Sequence, residues 1–306
     1  LQRLYDIKGK GNQEEVEGKL MLFDASGNSI EYDVKMVARG KTRRRICTFP
    51  PLKVAFSKKD LKGNSIRNKH RKLKLVTHCN GDFADQQNVI KEYLAYKAFN
   101  LVTENSFRAH LLQITYKDTG GQLESIDTYA FLIEDQDEVA DRLDGKVVDL
   151  WGMDAEHFPR EVFQTFALFQ YMIGNTDWRT AFMHNISLIQ SKADTSRLIP
   201  VPYDFDYSGL VNAYYAIPNP NLFQENIRQR LCFSKFEDEA EALERIQPFL
   251  DHKEAIIGLY ANSTLLHKKE KKKSVKYLKS FYKIIEKSAK KLVEESNKNH
   301  YRAGAS

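Results

Sequence analysis

A chain of 306 residues with 42% hydrophobic side chains can bury one large core or two moderate ones. Its mean hydropathy is −0.53 and no apolar run approaches the roughly 20 residues that cross a bilayer, so no membrane span is expected. The net charge of +6 is mild, and the 18 Phe and 15 Tyr argue against disorder.

The basic residues are concentrated in three segments, 39–45, 58–74 and 267–276. Such segments are commonly solvated surface, and this interpretation is favoured for the third. The alternative is attraction to phosphate, on a nucleotide or on nucleic acid.

The three cysteines, Cys47, Cys79 and Cys232, form no Cys-x-x-Cys pair and no Cys/His run. Neither a structural zinc site nor a disulfide framework is therefore expected, and the redox compartment stays open. A chain that begins at Leu1 is compatible with a removed signal peptide or with a trimmed start.

The first part of the chain reads as strands. Alternating apolar and polar residues predict strands at 19–23 and 30–38, joined as a hairpin by the turn signal at 25–28. A basic loop over 40–45 follows. Two more strands are then predicted, at 52–56 and 72–76.

Helical spacing of apolar residues begins at Gln87 and predicts a helix over 87–101, with Asp85 as its N-cap. Strands at 109–116 and 128–133 follow, and after Glu134-Asp135 the pattern is mostly helical. The clearest helices are predicted at 159–173, 238–250, 253–266 and 274–295.

Segregated strands and helices predict an α+β chain in two parts. Residues 1–135 would form a β-rich unit with one helix at about 86–101. Residues 136–306 would form a mostly helical unit.

Acidic and amide side chains are crowded into the stretch from Gly174 to Asn185, directly after a strongly apolar helix. A carboxylate held there, Asp177, can accept a proton from a hydroxyl, and the amide oxygen of Asn185 can ligate a hard metal. His184 is a further candidate. If the stretch has no function, Asp177 caps the next segment.

The stretch from Pro200 to Gly209 carries Asp204 and Asp206 on alternate positions among aromatic residues. In an extended conformation both carboxylates point to one side and can grip Mg²⁺ or Mn²⁺. The non-functional alternative is a solvent-facing turn. The flanking aromatic residues argue against it, because burying unpaired carboxylates is costly.

A third candidate pairs a strand with the helix after it. Lys72 and Lys74 share one face of their predicted strand, and Glu92 is an acid on an otherwise apolar helix face. A lysine paired with this glutamate could hold the phosphates of a nucleotide. Alternatively, all three are solvated charges.

The order of these elements is that of a protein kinase, although the usual signatures (GxGxxG, VAIK, HRD, DFG with APE) are absent. The chain more closely resembles the CotH (spore-coat kinase) family of atypical kinases, over roughly residues 39–209. The matching segments are Arg39-Gly-Lys-Thr42, 53–56, 72–76, Glu92-Tyr-Leu-Ala-Tyr96, Gly174-Asn-Thr-Asp177 with Asn185, and Tyr203-Asp-Phe-Asp206.

This resemblance implies a two-lobed protein-kinase-like fold and an ATP- and metal-dependent phosphotransferase. Asp177 would be the catalytic base, and Asp204, Asp206 and Asn185 would ligate Mg²⁺ or Mn²⁺. The residues expected to bind the nucleotide are Lys72 or Lys74 (with Lys53 left open), Glu92, Glu134 at the hinge, and Arg39, Lys41 and Arg43 over the phosphates.

The acceptor would be a hydroxyl of a protein or of a small molecule, and nucleic acid is not the expected partner. AMP transfer, a non-catalytic pseudokinase scaffold and a metal-dependent nuclease remain alternatives. A nuclease does not need the lysine strand and the Glu92 helix, which favours phosphotransfer. The compartment is open, and both an exported bacterial protein and a cytoplasmic one fit.

Overall fold

The computed structural model describes residues 1–8, 14–23, 26–40, 42–57 and 71–303, with side chains up to residue 298. The chain forms two compact units that interleave along the sequence. The first comprises Leu1–Val89 and Ala109–Glu138, and the second comprises Ile90–Arg108 and Val139–Ser306. The predicted division at residue 135 into two lobes stays a prediction.

The first unit is built on one antiparallel sheet with the strand order β1-β2-β3-β4-β6-β5. Its strands are β1 (Glu15–Phe23), β2 (Ser29–Ala38), β3 (Leu52–Phe56), β4 (Lys72–Val76), β5 (Ala109–Tyr116) and β6 (Ile126–Ile133). Helix α1 (Gln2–Ile7) precedes these strands, and α2 (Arg43–Ile46) lies between β2 and β3. Helix α3 (Phe83–Val102) lies between β4 and β5 and continues into the second unit.

The core of the first unit lies on one face of this sheet. Alternate residues of β2 and β3 are buried there, among them Tyr32, Val34, Val54 and Phe56, while their neighbours along the strands are exposed or half-buried. This period of two is what an antiparallel sheet with one solvated face requires.

The second unit combines helices with a small antiparallel sheet of strand order β7-β8-β9. Its strands are β7 (Gly145–Val148), β8 (Ile186–Ser191) and β9 (Leu198–Pro202). Its helices are α4 (Gln136–Arg142, at the boundary of the units), α5 (Arg160–Ile173), α6 (Glu239–Asp251), α7 (Lys253–Ala261), α8 (Lys268–Lys287) and α9 (Ala289–Ala303).

The α+β class and the first-unit strands are confirmed. β3, β4 and β5 have the predicted bounds, and β1 and β2 pair as the predicted hairpin. Two predictions were wrong in the second unit: β7, β8 and β9 interrupt the stretch expected to be helical, and the helix predicted over 274–295 is two helices that meet at Ser288.

Two local predictions in the first unit were also wrong. The basic loop predicted over 40–45 contains the one-turn helix α2. Helix α3 begins at Phe83, before the predicted cap, and the Asp82 carboxylate accepts the Asp85 backbone N–H at 2.8 Å. Asp82 therefore does the capping, as a side-chain oxygen three residues ahead of its donor commonly does. Residue 25 of the predicted turn and residues 58–70 of the second basic segment lie outside the described residues.

A disulfide joins Cys47 to Cys79, contrary to the expectation that the cysteines form no bridge. The two residues are 32 positions apart in sequence, yet their Cα atoms lie 4.6 Å apart. Antiparallel pairing of β3 with β4 brings the segment before β3, which carries Cys47, close to the segment after β4, which carries Cys79. Sequence spacing alone does not reveal this approach. Cys232 is buried and unbridged.

Within the described part of the chain, no helix is long and apolar enough to cross a bilayer.

Candidate functional site

The hairpin of β8 and β9 brings the two acidic stretches to one end of the small sheet. Ile186 pairs with Pro202, and just beyond this pair the Asn185 carbonyl accepts the Tyr203 backbone N–H at 3.0 Å. Asn185 therefore lies directly before the start of β8, and Asp204 lies shortly after the end of β9. Residues 19 positions apart in sequence thus flank the same end of one hairpin.

Asp177 lies in a loop that starts where α5 ends. Gly174 ends the helix in the left-handed conformation (φ 66°), and the Asn175 side chain then organises the turn. Its amide donates to the Gln170 side chain at 3.0 Å, and its oxygen accepts the Asp177 backbone N–H at 3.0 Å. Asn175 is buried, so the loop is anchored in the interior while the Asp177 side chain remains about one-third exposed.

Both oxygens of the Asp177 carboxylate have partners within the loop. Asn185 Nδ2 donates to Oδ2 at 3.0 Å, and His184 Nε2 lies 3.0 Å from Oδ1. Each carboxylate oxygen accepts two hydrogen bonds, so these contacts fix the orientation of the group and leave it acceptor capacity. Asn185 contributes its amide nitrogen to Asp177, which leaves its amide oxygen for a cation.

His184 is held by two interactions. Its backbone N–H donates to the Arg179 carbonyl at 2.9 Å, forming a bridge across the loop. The hydrogen bond from its side chain to Asp177 raises the pKa of His184, and the nearby Asp204 charge acts in the same direction. Burial lowers the pKa of Arg179, against the attraction of Asp177.

Asp204 and Asp206 have different surroundings. Asp204 has a positive φ of 67°, and its backbone N–H donates to the buried Tyr96 hydroxyl of α3 at 2.8 Å. Asp206 is only 4% exposed, and its Oδ2 accepts a hydrogen bond from the Tyr215 hydroxyl at 2.9 Å. Phe205, between them, is fully buried against the Tyr96 ring.

The three predicted carboxylates act together on one neighbouring group. Burial raises the pKa of Tyr207, and the negative charges of Asp206, Asp177 and Asp204 raise it further. A single phenol whose pKa responds to all three charges lies within electrostatic range of each of the three carboxylates. The predicted catalytic and metal-binding acids therefore share Tyr207 as a neighbour in charge.

The predicted nucleotide-binding residues lie in several places. Lys72 is exposed and Lys74 half-buried on β4, where Lys74 is paired with Lys53 of β3. Arg43 is buried and donates to the Thr77 carbonyl. Arg39 and Glu134 are half-buried and belong to the first unit. Glu92 is buried on the part of α3 that belongs to the second unit. Lys41 lies outside the described residues. The pairing of Glu92 with a lysine stays a prediction.

The donor atoms around Asp204 and Asp206 suit a hard cation, because carboxylate and amide oxygens are the ligands that Mg²⁺ and Mn²⁺ prefer. Among the described residues, no three His, Cys, Asp or Glu side chains form a complete ligand cluster. Mg²⁺ does not need one, since it commonly binds one or two carboxylates and completes its shell with water and substrate phosphates. Asp204, Asp206 and the Asn185 oxygen fit that requirement.

Sequence reasoning did not identify Lys91, which lies beside Glu92 and is almost fully buried. Its ammonium donates to the Val211 carbonyl and lies 3.3 Å from Glu270 Oε2 on α8. Val211 follows Asp206 by five residues, so this contact ties the segment after Asp206 to α3. The sequence pattern that could have identified Lys91 is a charged residue directly beside Glu92 within an otherwise apolar helix.

The burial of Lys91 predicts an unusual pH dependence of stability. Burial lowers its pKa to about 8 and outweighs Glu270, while Lys273 and Arg228 lower it further. An unfolded lysine titrates near 10.4, so between about pH 8 and 10 the unfolded state holds more protons and the free energy of unfolding should rise with pH. We expect wild type to gain about 1 to 3 kcal/mol relative to Lys91→Met across this window.

Urea unfolding of both proteins at pH 7.5, 8.5 and 9.5 measures this difference. Lys279→Met, which removes an exposed lysine of the same helix α8, should follow the wild-type pH dependence closely. Parallel curves for wild type and Lys91→Met would show that the Lys91 ammonium is not destabilised by burial.

No protein-family model matches the chain, and no curated protein matches its sequence.

Proposed function

We propose that the protein is an ATP-dependent phosphotransferase with a protein-kinase-like fold that resembles CotH-type kinases. It transfers the γ-phosphoryl group to a hydroxyl acceptor and uses Mg²⁺ or Mn²⁺. The observation that carries the proposal is the β8–β9 hairpin, which holds Asp177 and Asn185 before its first strand and Asp204 and Asp206 after its second.

Kinases need this arrangement because a base and a metal-binding acid must act on neighbouring atoms of the reaction. The order along the chain, with four strands of the first-unit sheet, then α3 with its buried glutamate, then the last two strands, supports the same template. The charges of the three acids also act together on Tyr207, which supports a shared region of negative charge that a cation would neutralise.

The roles of the residues follow from their contacts. Asp177, oriented by Asn185 and His184, accepts the hydrogen bond of the acceptor hydroxyl and takes its proton as the new O–P bond forms. The bond between the γ-phosphorus and the β,γ-bridging oxygen breaks in the same step, and ADP leaves. Asp204, Asp206 and the Asn185 oxygen hold a divalent cation, which neutralises charge on the phosphates when bound. The chain's own contribution is mainly positioning and charge, because phosphoryl transfer needs little covalent help.

The Cys47–Cys79 bridge supports an exported protein as part of this proposal. Disulfides persist mainly in oxidising compartments and are rare in reducing ones. The sequence had left both an exported and a cytoplasmic location open, and the bridge favours the exported one.

The test of the proposal is thermal unfolding of the purified protein with ATP and Mg²⁺ or Mn²⁺. A ligand that binds only the folded state stabilises it by about 2.7 kcal/mol at 100 times its dissociation constant, so the melting temperature should rise. We expect this rise to need nucleotide and metal together, and to disappear in Asp204→Ala.

Asp194→Ala is the matched control for this experiment. Asp194 is an exposed acid in the turn at the opposite end of the same hairpin, and its removal should leave the ligand-induced rise intact. The absence of any rise in wild type with either metal would contradict ATP-dependent phosphotransfer. The nuclease and scaffold alternatives would then be tested by phosphodiester cleavage.

A further inference from the structure

Tyr215 contacts Asp206, one of the predicted metal ligands, although no prediction from the sequence connected these two residues. Its hydroxyl donates to Asp206 Oδ2 at 2.9 Å, nine residues along the chain. Asp206 is 4% exposed, so its carboxylate has little water available to replace this donor. An N–H or O–H donor to a nearly buried carboxylate contributes strongly to its orientation.

The Tyr215 ring is itself held in place by its neighbours. It packs against Tyr207 at a centroid distance of 5.8 Å and against the Tyr214 ring at 5.1 Å in an edge-on geometry. A backbone hydrogen bond from Ala216 to the Ala213 carbonyl, 3.0 Å long, closes a turn around it. The hydroxyl is therefore presented to Asp206 by a locally ordered segment.

We infer that Tyr215 is a positioning residue that holds the Asp206 carboxylate in its metal-ligating orientation. The inference rests on the proposed function, which makes Asp206 a metal ligand. Ligating carboxylates are commonly hydrogen-bonded by a second group, and loss of such a group typically weakens metal binding by roughly 10- to 100-fold. Tyr215 engages Oδ2 and so restricts the rotation of the Asp206 carboxylate.

Removing the Tyr215 hydroxyl distinguishes two roles for it: orienting the Asp206 carboxylate, or blocking the position of the metal. If the Tyr215 hydroxyl merely occupied a position that the metal needs, its removal would tighten metal binding. If it orients Asp206, its removal weakens binding, because the carboxylate gains rotational freedom that the cation must then restrict.

The experiment compares Tyr215→Phe with wild type. This change keeps the ring and its aromatic contacts and removes only the donor. Mn²⁺ is titrated at saturating ATP, and its half-saturating concentration is read from the rise in melting temperature, with electron paramagnetic resonance of free Mn²⁺ as a second measurement. We expect this concentration to increase roughly 10- to 100-fold. The melting temperature of the ligand-free protein should fall as well, because Asp206 loses a donor that water replaces poorly, and each half-saturating concentration is therefore read against the variant's own ligand-free value.

Tyr214→Phe is the matched control, because it removes the hydroxyl of the adjacent, more exposed ring. It should leave the Mn²⁺ dependence unchanged, which separates the Asp206 contact from a general effect on the segment. Unchanged or tighter Mn²⁺ binding in Tyr215→Phe, with a normal metal response in wild type, would overturn the inference while leaving the proposed function standing. Failure of wild type itself to respond to metal and ATP would overturn both.

Discussion

Loss of the Cys47–Cys79 disulfide should lower the free energy of unfolding of the first unit by about 3 to 4 kcal/mol at 25 °C. The bridge joins residues 32 positions apart, and loop-closure entropy for a loop of this size gives that figure. The effect acts through the unfolded chain, which explores more conformations when the crosslink is absent. The measurement is guanidinium unfolding of the oxidised protein, the protein in dithiothreitol, and Cys47→Ser/Cys79→Ser.

Cys232 provides an internal check on this experiment. Burial raises its pKa to about 12, so its thiol should stay unreactive and should not exchange with the bridge in the folded protein. Cys232→Ala should therefore show the same difference between oxidised and reduced states. Equal transition midpoints for the oxidised and reduced proteins would show that the crosslink does not restrict the unfolded chain.

The sequence revealed strands where one face is buried and the other is solvated. The alternation in β3, with Leu52, Val54 and Phe56 buried and Lys53 exposed, predicts its bounds correctly. β8 and β9 were missed because most of their side chains are buried, so they carry no alternation. Two prolines at 200 and 202 also argue against a strand in sequence, although edge strands tolerate them.

The candidate site shows the same division between local and long-range information. Asp177, Asp204 and Asp206 were identified because acids among aromatic residues are locally unusual. The hydrogen bonds of Tyr96 and Tyr215 to this site were not predicted, because a tyrosine hydroxyl has no sequence signature until the fold places an amide or a carboxylate beside it. Supporting hydrogen bonds of this kind join residues that only the tertiary structure brings together.

Gly174→Ala should destabilise the second unit by about 2 to 5 kcal/mol. Gly174 ends α5 with φ 66°, a left-handed conformation that costs a residue with Cβ roughly 1 to 2 kcal/mol. The added Cβ would also overlap the Tyr277 hydroxyl and lie 3.2 Å from its Cζ. Overpacking of this kind typically costs about 1 to 3 kcal/mol more.

Tyr277 cannot easily move aside to relieve this overlap. Its hydroxyl donates to the Arg228 carbonyl at 3.1 Å, and the Arg228 and Arg230 guanidinium carbons lie 4.4 and 3.7 Å from its ring centroid. Its backbone carbonyl also accepts from Arg230 at 2.7 Å. The overlap must therefore displace the end of α5, from which the Asp177 loop begins.

A double-mutant cycle with Tyr277→Phe separates the two costs of Gly174→Ala. Removing the hydroxyl relieves the main overlap and leaves the 3.2 Å contact with Cζ and the backbone strain. In the Tyr277→Phe background the substitution should therefore cost less, about 1 to 3 kcal/mol. Urea unfolding of the four proteins measures the coupling. An equal cost in both backgrounds would assign the whole effect to the left-handed backbone. A cost below about 0.5 kcal/mol, the usual range for an unconstrained surface substitution, would show that the helix end repacks freely and that it does not rigidly position Asp177.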